Sequence, residues 1–446
     1  MRKITFITIL LTSFLLNAQK KWTLEEAVEY AMKNNLQIVY NQQLYEYEYK
    51  NVQIAKNDYL PVVSSNFNNV LRLGQTQGFQ GGIGRNDNYS NELSVSANLL
   101  IYNGGRLKKN VEKKQLDVEI TKQTIEIVKN DIHLQILQQF LSINLNKELL
   151  KIRQSALENA EKILERAKIT TTVGTTSRTV LAEAEATVSS EKQKLKQAEI
   201  DIKRSLFKLA QILQLKDYQY FDIEEEVLEE KIIPYSLNQT IEIALANHPT
   251  IKSAEFKIKS AGKQTEIVET AYLPMINFNA GVGSFYYNSL VTNITGIDAM
   301  GNYIKEATMF TQFKNNFFQQ MGVSVSIPIF NKGNTKVQVA QSKINEDIVK
   351  QNLAIKKQEL IENIQKVYFD MESHFQTMMS AIETEKSTAL ALDFAEKSYE
   401  AGKSSIYDLN IARNNFITAK SSVVQAQHNY IFNLKILEVY MRGEDL

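Results

Sequence analysis

Along most of the chain the apolar residues recur at spacings of three and four, and in four short places they switch to strict alternation. Residues 106–173 and 334–401 contain no Gly or Pro, are each 68 residues long, and are flanked by Gly at both ends. Rich in Lys, Glu, Gln, Leu and Ile, each predicts one helix of about 100 Å, at a rise of about 1.5 Å per residue. That length implies coiled-coil-like packing rather than a globular domain. After Gly174 the positions Leu181, Ala184, Val188, Glu191, Leu195, Ala198 and Ile202 form a heptad seam with one polar break, Glu191. After Gly402 the seam is Leu409, Ala412, Phe416, Ala419, Val423, Ala426 and Tyr430. The two glycines predict tight turns into helices over 177–213 and 405–441, since Gly adopts left-handed angles freely. Shorter amphipathic helices are expected at about 35–58 and 249–271.

Each of these shorter helices ends at Tyr-Leu-Pro, and alternation follows. Pro61 and Pro274 disfavour helical geometry at the residue before them. Val63, Phe67 and Leu71 share one parity, with Ser64, Asn66 and Asn68 on the other. The same contrast holds for Leu93 to Ile101, for Ile276 to Val282 and for Met321 to Ile329. Strands are therefore predicted at about 61–72, 92–102, 275–285 and 321–330, each apolar on one face and polar on the other, as in a transmembrane β-barrel. Residues 74–90 and the Gly/Asn-rich 284–320 read as loops. Tyr59, Tyr102, Tyr272 and Phe330 stand at the helix-side strand ends, where an aromatic girdle belongs.

The two halves repeat one another. A shift of 213 aligns 22–61 with 235–274 without a gap, and ten of the forty positions are identical. Beyond a looser stretch the register resumes at 228, where Asn103, Gly105 and Gly174 fall on Asn331, Gly333 and Gly402. The expected organisation is a signal peptide (1–18), a first repeat (19–234) and a second (235–446). Four strands cannot close a barrel, and lipid cannot satisfy open sheet edges, so several chains must combine. Two chains would give eight strands and three would give twelve.

Composition narrows the function. Basic and acidic residues nearly balance (51 against 50) and there is no cysteine, so nucleic-acid binding, a disulfide framework and thiolate chemistry have no support. The N-terminal "MRKITFITILLTSFLLNAQ" has the cations, short apolar run and small residue of a secretory signal peptide cleaved after Ala18. No phosphate-cradling Gly loop or nucleophilic Ser motif is present, so no enzyme activity and no cofactor are expected.

The repeat, "YLP" before a strand, "LLIYNGG" and "IPIFNKG" where a strand passes into a long helix, and "SYEAGKSSIYDLNIA" at the second turn resemble the TolC family of outer-membrane efflux proteins. The resemblance spans the mature chain. It implies a mixed α and transmembrane β fold: a homotrimer with one 12-stranded β-barrel, four strands per chain, continued by a long periplasmic α-helical coiled-coil tunnel. An equatorial domain would include 221–237 and the C-terminal tail. The implied function is an exit duct of a tripartite efflux or type I secretion system in the cell outer membrane. It would work with a periplasmic adaptor (membrane fusion protein) and an inner-membrane pump of RND, ABC or MFS type. The rival reading is a periplasmic coiled-coil structural or adaptor protein that never inserts in the membrane.

The same resemblance suggests sites. Adaptor docking maps to the two turns, through Val173-Gly174-Thr175 and, with only Gly in common, Gly402-Lys403. Pore-constricting aspartates map to Asp408, while the second family position holds Ile411; the first-repeat equivalent of Ile411 is Glu183, with Arg178 nearby. Asp408 is also an acidic residue in a first helical turn, where negative charge is favoured anyway. Tyr59, Pro61, Tyr272 and Pro274 mark the helix–strand transition. Met371, His374, Met378 and Met379 share a helical spacing that suits either packing or a soft metal; packing is the expectation, with no metal site. The other histidines (His133, His248, His428) are scattered, the acidic run from Asp222 to Glu226 reads as a solvated connection, and Tyr45, Tyr47 and Tyr49 read as helix-interface packing.

Overall fold

The computed structural model describes residues 21–77, 83–85, 87–216, 218–225, 235–291, 294–297, 300–305 and 308–442. The expected signal peptide and much of 221–237 lie outside these residues. In chain order the elements begin with β1 (Lys21–Trp22), α1 (Leu24–Asn34) and α2 (Leu36–Asn57). Next come β2 (Val62–Arg72), β3 (Gln75–Gln77), β4 (Ile83–Arg85), β5 (Asn88–Asn103), α3 (Arg106–Thr172) and α4 (Arg178–Ile212). They continue with β6 (Asp222–Ile223), α5 (Leu237–Asn247), α6 (Pro249–Glu269), β7 (Met275–Ser289), β8 (Ile294–Ile297) and β9 (Tyr303–Lys305). The last are α7 (Met309–Asn315), β10 (Phe318–Ser326), α8 (Asn334–Glu400) and α9 (Ile406–Arg442). Among the described residues no helix is long and apolar enough to cross a membrane.

Two compact units result, and each draws residues from both of the expected repeats, 19–234 and 235–446. One holds residues 1–45, 120–255 and 352–446; the other holds 46–119 and 256–351. Each draws on both halves because α3 and α8 are long enough to contribute to both units.

In the first unit α1 starts with a capping box: Thr23 Oγ1 accepts from the Glu26 amide (3.1 Å) and Glu26 Oε2 accepts from the Thr23 amide (3.3 Å). Ser236 and Gln239 do the same for α5. Ala27 and Ala31 of α1 pack against Ile132, Ile136 and Phe140 of α3 and Leu209 of α4, all fully or almost fully buried. Small residues on the short helix let its backbone approach the long one. A second core joins Ala244 and Ile251 to Ile364, Met371 and Met378 of α8 and Leu434 and Leu437 of α9. The strands β1 and β6 form a two-residue parallel pair. Asp222, expected in a solvated run, is instead held there. Lys147 Nζ donates to its carboxylate at 2.7 Å and to the Ile223 carbonyl at 2.7 Å. A buried ammonium needs such partners, so the sequence-based reading of Asp222 is corrected by the lysine one layer away.

The second unit is built on one antiparallel sheet in the order β10-β7-β5-β2. Val63, Phe67, Leu93, Val95, Val282 and Val325 lie on one face and are exposed. Ser64, Ser96, Gly281 and Gln320 stand opposite one another on the other. The two hairpins pair in equivalent register: shifts of 213 and 228 carry Val62↔Asn98 onto Met275↔Ser326 and Phe67↔Leu93 onto Ala280↔Met321. β5 and β7 run past their expected ends, to Asn88 and Ser289.

Two expectations fail here. The segment 284–320 is no plain loop: α7 lies against the part of β7 that β10 does not reach. Gln312 Oε1 accepts from the Tyr287 amide and Gln312 Nε2 donates to the Tyr287 carbonyl, both at 3.0 Å. Asn316 Nδ2 donates to the Phe285 carbonyl at 2.8 Å. Side-chain amides thus replace a missing strand. And β10 stops at Ser326 rather than 330, because β7 begins at Met275 opposite Ser326 and offers nothing further to pair with.

At the junction, Leu60 and Leu273 each donate their amide three residues back, to Asn57 (2.8 Å) and Thr270 (2.9 Å), which closes the preceding helix before Pro61 and Pro274. Tyr59 and Tyr272 are both exposed there. Gly104 has φ +69°, and a Cβ at that position would lie 2.7 Å from the Leu273 Cβ. Both the angle and the contact demand Gly. Gly104→Ala is expected to destabilise the second unit by about 2 kcal/mol or more. Leu273→Ala should recover part of that loss in a double-mutant cycle. Denaturant unfolding in detergent measures both, and an unchanged midpoint for Gly104→Ala would refute the contact.

Candidate functional site

The docking and constriction candidates lie at or near two turns, both in the first unit, whereas Tyr59, Pro61, Tyr272 and Pro274 lie in the second. At the end of α3, the Gly174 amide donates to the Thr171 carbonyl (3.1 Å) and the Thr175 amide to the Thr170 carbonyl (2.9 Å), with Gly174 at φ +81°. At the end of α8, the Gly402 amide donates to Tyr399 (3.0 Å) and Lys403 to Ser398 (2.9 Å), with Gly402 at φ +70°. Both are Schellman motifs, which satisfy carbonyls that the helix leaves open. They share a backbone and differ in chemistry. Around Gly174, threonine hydroxyls close the loop: Thr175 Oγ1 donates to the Thr170 carbonyl (3.0 Å) and Thr176 Oγ1 to Thr170 Oγ1 (2.7 Å). Val173 projects from it, 72% exposed.

Around Gly402 the closing group is acidic. The Ser405 amide donates to Asp408 Oδ2 (3.1 Å), the Ser405 hydroxyl donates to the same oxygen (2.7 Å), and the Asp408 amide donates back to Ser405 Oγ (3.2 Å). These bonds, the hydroxyl's first and the amide's second, hold the exposed Asp408 carboxyl below the usual aspartate range. Asp408 is therefore both the reciprocal cap of α9 and a fixed exposed charge.

The two hairpins pack on one another. Ala167 of α3, Ala184 of α4 and Ile406 of α9 form a buried cluster with Tyr399 beside it. The Arg166 guanidinium lies 5.7 Å from the Tyr399 ring centre and 3.9 Å from Glu400. Asn410 Nδ2 donates to Thr187 Oγ1 at 3.4 Å. On α9, Asp408, Ile411, Asn415, Thr418, Ser422 and Gln425 form one exposed stripe at spacings of three and four. Glu183 and Lys403 are exposed as well.

Of two buried charged groups, one lies on a heptad seam and the other beside it. Arg413 is buried beside the seam and donates to Glu396 Oε1 at 2.8 Å. Glu191, the polar break, is buried and receives Lys194 Nζ at 2.7 Å. The signal for Arg413 lay in a second apolar face on the same helix, through Ile406 and Ile417. Of the methionine set, Met371 and Met378 sit in the core while Met379 is exposed, so the four side chains do not converge. Among the described residues no group of three or more His, Asp or Glu side chains is placed to hold a metal ion. Tyr47 and Tyr49 face outward rather than into a helix interface within the chain. Burial pushes His248 down to about 4, so its ring is neutral against Tyr440.

Paired helical hairpins of this length, with a four-stranded sheet exposing one apolar face, define a class of channel subunit, and comparison with known proteins assigns the family. The sequence profile of the outer membrane efflux proteins matches residues 28–214 and 240–440. The chain belongs to that family. It is 22% identical over 409 residues to the outer membrane efflux protein BepC of Brucella suis, covering 92% of this chain and 83% of that protein. Its fold resembles that of CusC, with a TM-score of 0.78 at 14% identity, covering 94% of this chain and 92% of that one. It likewise resembles the CmeC outer membrane channel of Campylobacter jejuni, with a TM-score of 0.76 at 18% identity, covering 94% and 86%.

Asp408 yields a sign-defined test. Its folded-state pKa lies below the unfolded value, so its cap contributes stability above the unfolded pKa of about 3.9, lost as pH falls through the folded pKa. Ser405→Ala is expected to raise the Asp408 pKa towards the ordinary value and to flatten that acid-side loss. Carboxyl titration by NMR measures it, and an unchanged pKa in the variant would remove the cap from the account.

Proposed function

We propose that the chain is the outer-membrane exit duct of a tripartite efflux system, passive in itself. The observation that carries this reading is the sheet of the second unit, with an exposed apolar face, a polar opposite face, and two edge strands, β2 and β10, that have no outer neighbour among the described residues. A face of that kind suits hydrocarbon, and in hydrocarbon a sheet edge must be paired. Three copies joined edge to edge make a closed barrel of twelve strands, with the repeated halves giving each copy four. The long hairpins form a helical tunnel on the periplasmic side, and the N-terminal segment directs export and is removed after Ala18.

Within this reading Asp408 supplies a ring of three carboxylates at the tunnel entrance, where a fixed negative charge favours cations. Its capping bonds favour the ionised form at physiological pH. Glu183 adds a second acidic position from the first repeat. The turns at Val173-Gly174-Thr175 and Gly402-Lys403 are the docking points for a periplasmic adaptor. An inner-membrane pump of RND, ABC or MFS type supplies the energy, and a type I secretion assembly uses the same geometry. No residue set is assigned to catalysis.

Planar-bilayer recordings of the purified protein test the reading. Small, cation-selective steps are expected, and Asp408→Asn, which removes the charge but keeps an acceptor for Ser405, should reduce cation selectivity severalfold. Channels indifferent to the substitution would retain the duct and remove Asp408 from its entrance. Folded, inserted protein that forms no channels would overturn the duct itself.

A further inference from the structure

We infer that a small cavity between α3, α4 and α9 binds a short amino acid in its zwitterionic form, with the ligand's carboxylate on Arg413 and its ammonium on Glu191.

The cavity lies within the first unit and has a volume of about 230 Å³. The buried Ala156 and Ala160 of α3 form its floor, Thr187 and Glu191 of α4 one wall, and Asn410 and Arg413 of α9 the other. Each of these pairs is three or four residues apart, so its two members stand one above the other on a single helix face. The floor is low because α3 presents only methyl groups there. Asn410 Nδ2 donates to Thr187 Oγ1 at 3.4 Å, so the two walls meet about one turn from the charged residues. Glu191 is 4% exposed and Arg413 9%, and the helices that bury them belong to one chain.

Each charge is only half used. Glu191 Oε1 accepts from Lys194 Nζ at 2.7 Å, and Arg413 Nη2 donates to Glu396 Oε1 at 2.8 Å. Glu191 Oε2 and Arg413 Nη1 are buried without a hydrogen-bond partner among the described residues, and they do not reach each other. A buried acceptor on an anion and a buried donor on a cation each cost free energy until something occupies them. Here the two border the same space.

Charge selects the occupant. Lys194 balances Glu191 and Glu396 balances Arg413, so the cavity carries no net charge but has a negative side and a positive side. A simple cation is attracted by Glu191 and repelled by Lys194 and Arg413, and a simple anion meets the reverse. A molecule with one ammonium and one carboxylate satisfies both free atoms at once, through charge-assisted bonds, which are the stronger kind. Water supplies hydrogen bonds there but no charge. At about 30 Å³ for each water-sized group, the space takes roughly eight such groups. That suits a short amino acid and excludes a peptide. Because Glu191 is on α4 and Arg413 on α9, the ligand also ties the first helical hairpin to the second. Binding to the folded chain alone therefore raises its resistance to unfolding.

Calorimetric titration of the purified full chain in detergent tests the site. The probes are glycine, β-alanine and γ-aminobutyrate, whose charges are separated by one, two and three carbons. Acetate and ethylammonium, with one charge each, are the controls. At least one amino acid is expected to bind once per chain, about tenfold or more tighter than either control. Glu191→Gln and Arg413→Lys should each weaken it by a similar factor. Ala160→Leu fills the floor and should abolish both the binding and the ligand's upward shift of the unfolding midpoint. If Arg413→Lys does not fold, the other two variants carry the test, with circular dichroism to confirm their helices. Folded protein that binds none of the three amino acids would overturn the inference and leave the cavity to water. Ethylammonium binding as tightly as the amino acids would make this a cation site and overturn the zwitterion. Amino-acid binding unchanged by Glu191→Gln and Ala160→Leu would place the ligand elsewhere on the chain.

Discussion

A backbone N–H or C=O on a strand must find a partner, and much of the second unit follows from that constraint. Within the chain β5 and β7 are paired on both sides, whereas β2 and β10 are paired on one. The polar face of the sheet is unremarkable for a soluble protein. The apolar face, exposed along its length, is not, because water would penalise it at about 25 cal/mol per Å². A surface that is costly in water and edges that are costly in lipid are what the proposed duct reconciles, with the apolar face towards lipid and the edges closed on other copies. The amide side chains of α7 show the same pressure locally. Where β10 is too short to cover β7, Gln312 and Asn316 satisfy the exposed backbone instead.

The helices meet the opposite requirement. Their backbone groups are satisfied internally, so their stability depends on which faces they bury and on how they end. α3 and α8 reach 67 residues each without a Gly or Pro to break them, and each ends in a Schellman turn at a single glycine. The short helices bear small residues on the inner face, Ala27 and Ala31 in α1 and Ala244 in α5, so close backbone approach substitutes for bulk. Charged groups in this interior are tolerated only in pairs, as with Arg413 and Glu396 or Lys147 and Asp222.

Much of this was legible in the sequence. The long helices declared themselves because nothing in them could end a helix, and the turns because only Gly occurs at those points. Alternation gave the strands and their faces. What escaped reading had one of two causes. α7 is a seven-residue helix in a Gly- and Asn-rich segment, and its role depends on an unpaired strand that is adjacent in space, not in sequence. Asp222 looked solvated because its partner Lys147 is 75 residues away along the chain. Arg413 was missed for a related reason: one heptad seam was followed, while α9 buries residues on two faces. Of the candidate site, the turns were readable from the single glycines that end two Gly- and Pro-free runs, whereas the reciprocal bonding of Asp408 with Ser405 lies in the side-chain geometry.

The two readings of Asp408, helix cap and charged entrance, need not compete. A cap serves its helix best when its carboxylate is ionised and accepting, and the bonds that achieve this leave the group exposed and negative. An exposed carboxylate free of such bonds would sample many rotamers and spread its charge. Here Ser405 fixes the carboxylate at the start of α9, so its charge stands at a defined place. Local helix chemistry thus gives the proposed entrance its fixed charge, whereas Thr175 and Thr176 close the first turn with neutral hydroxyls. The two turns share one backbone solution, and a capping carboxylate closes only one of them.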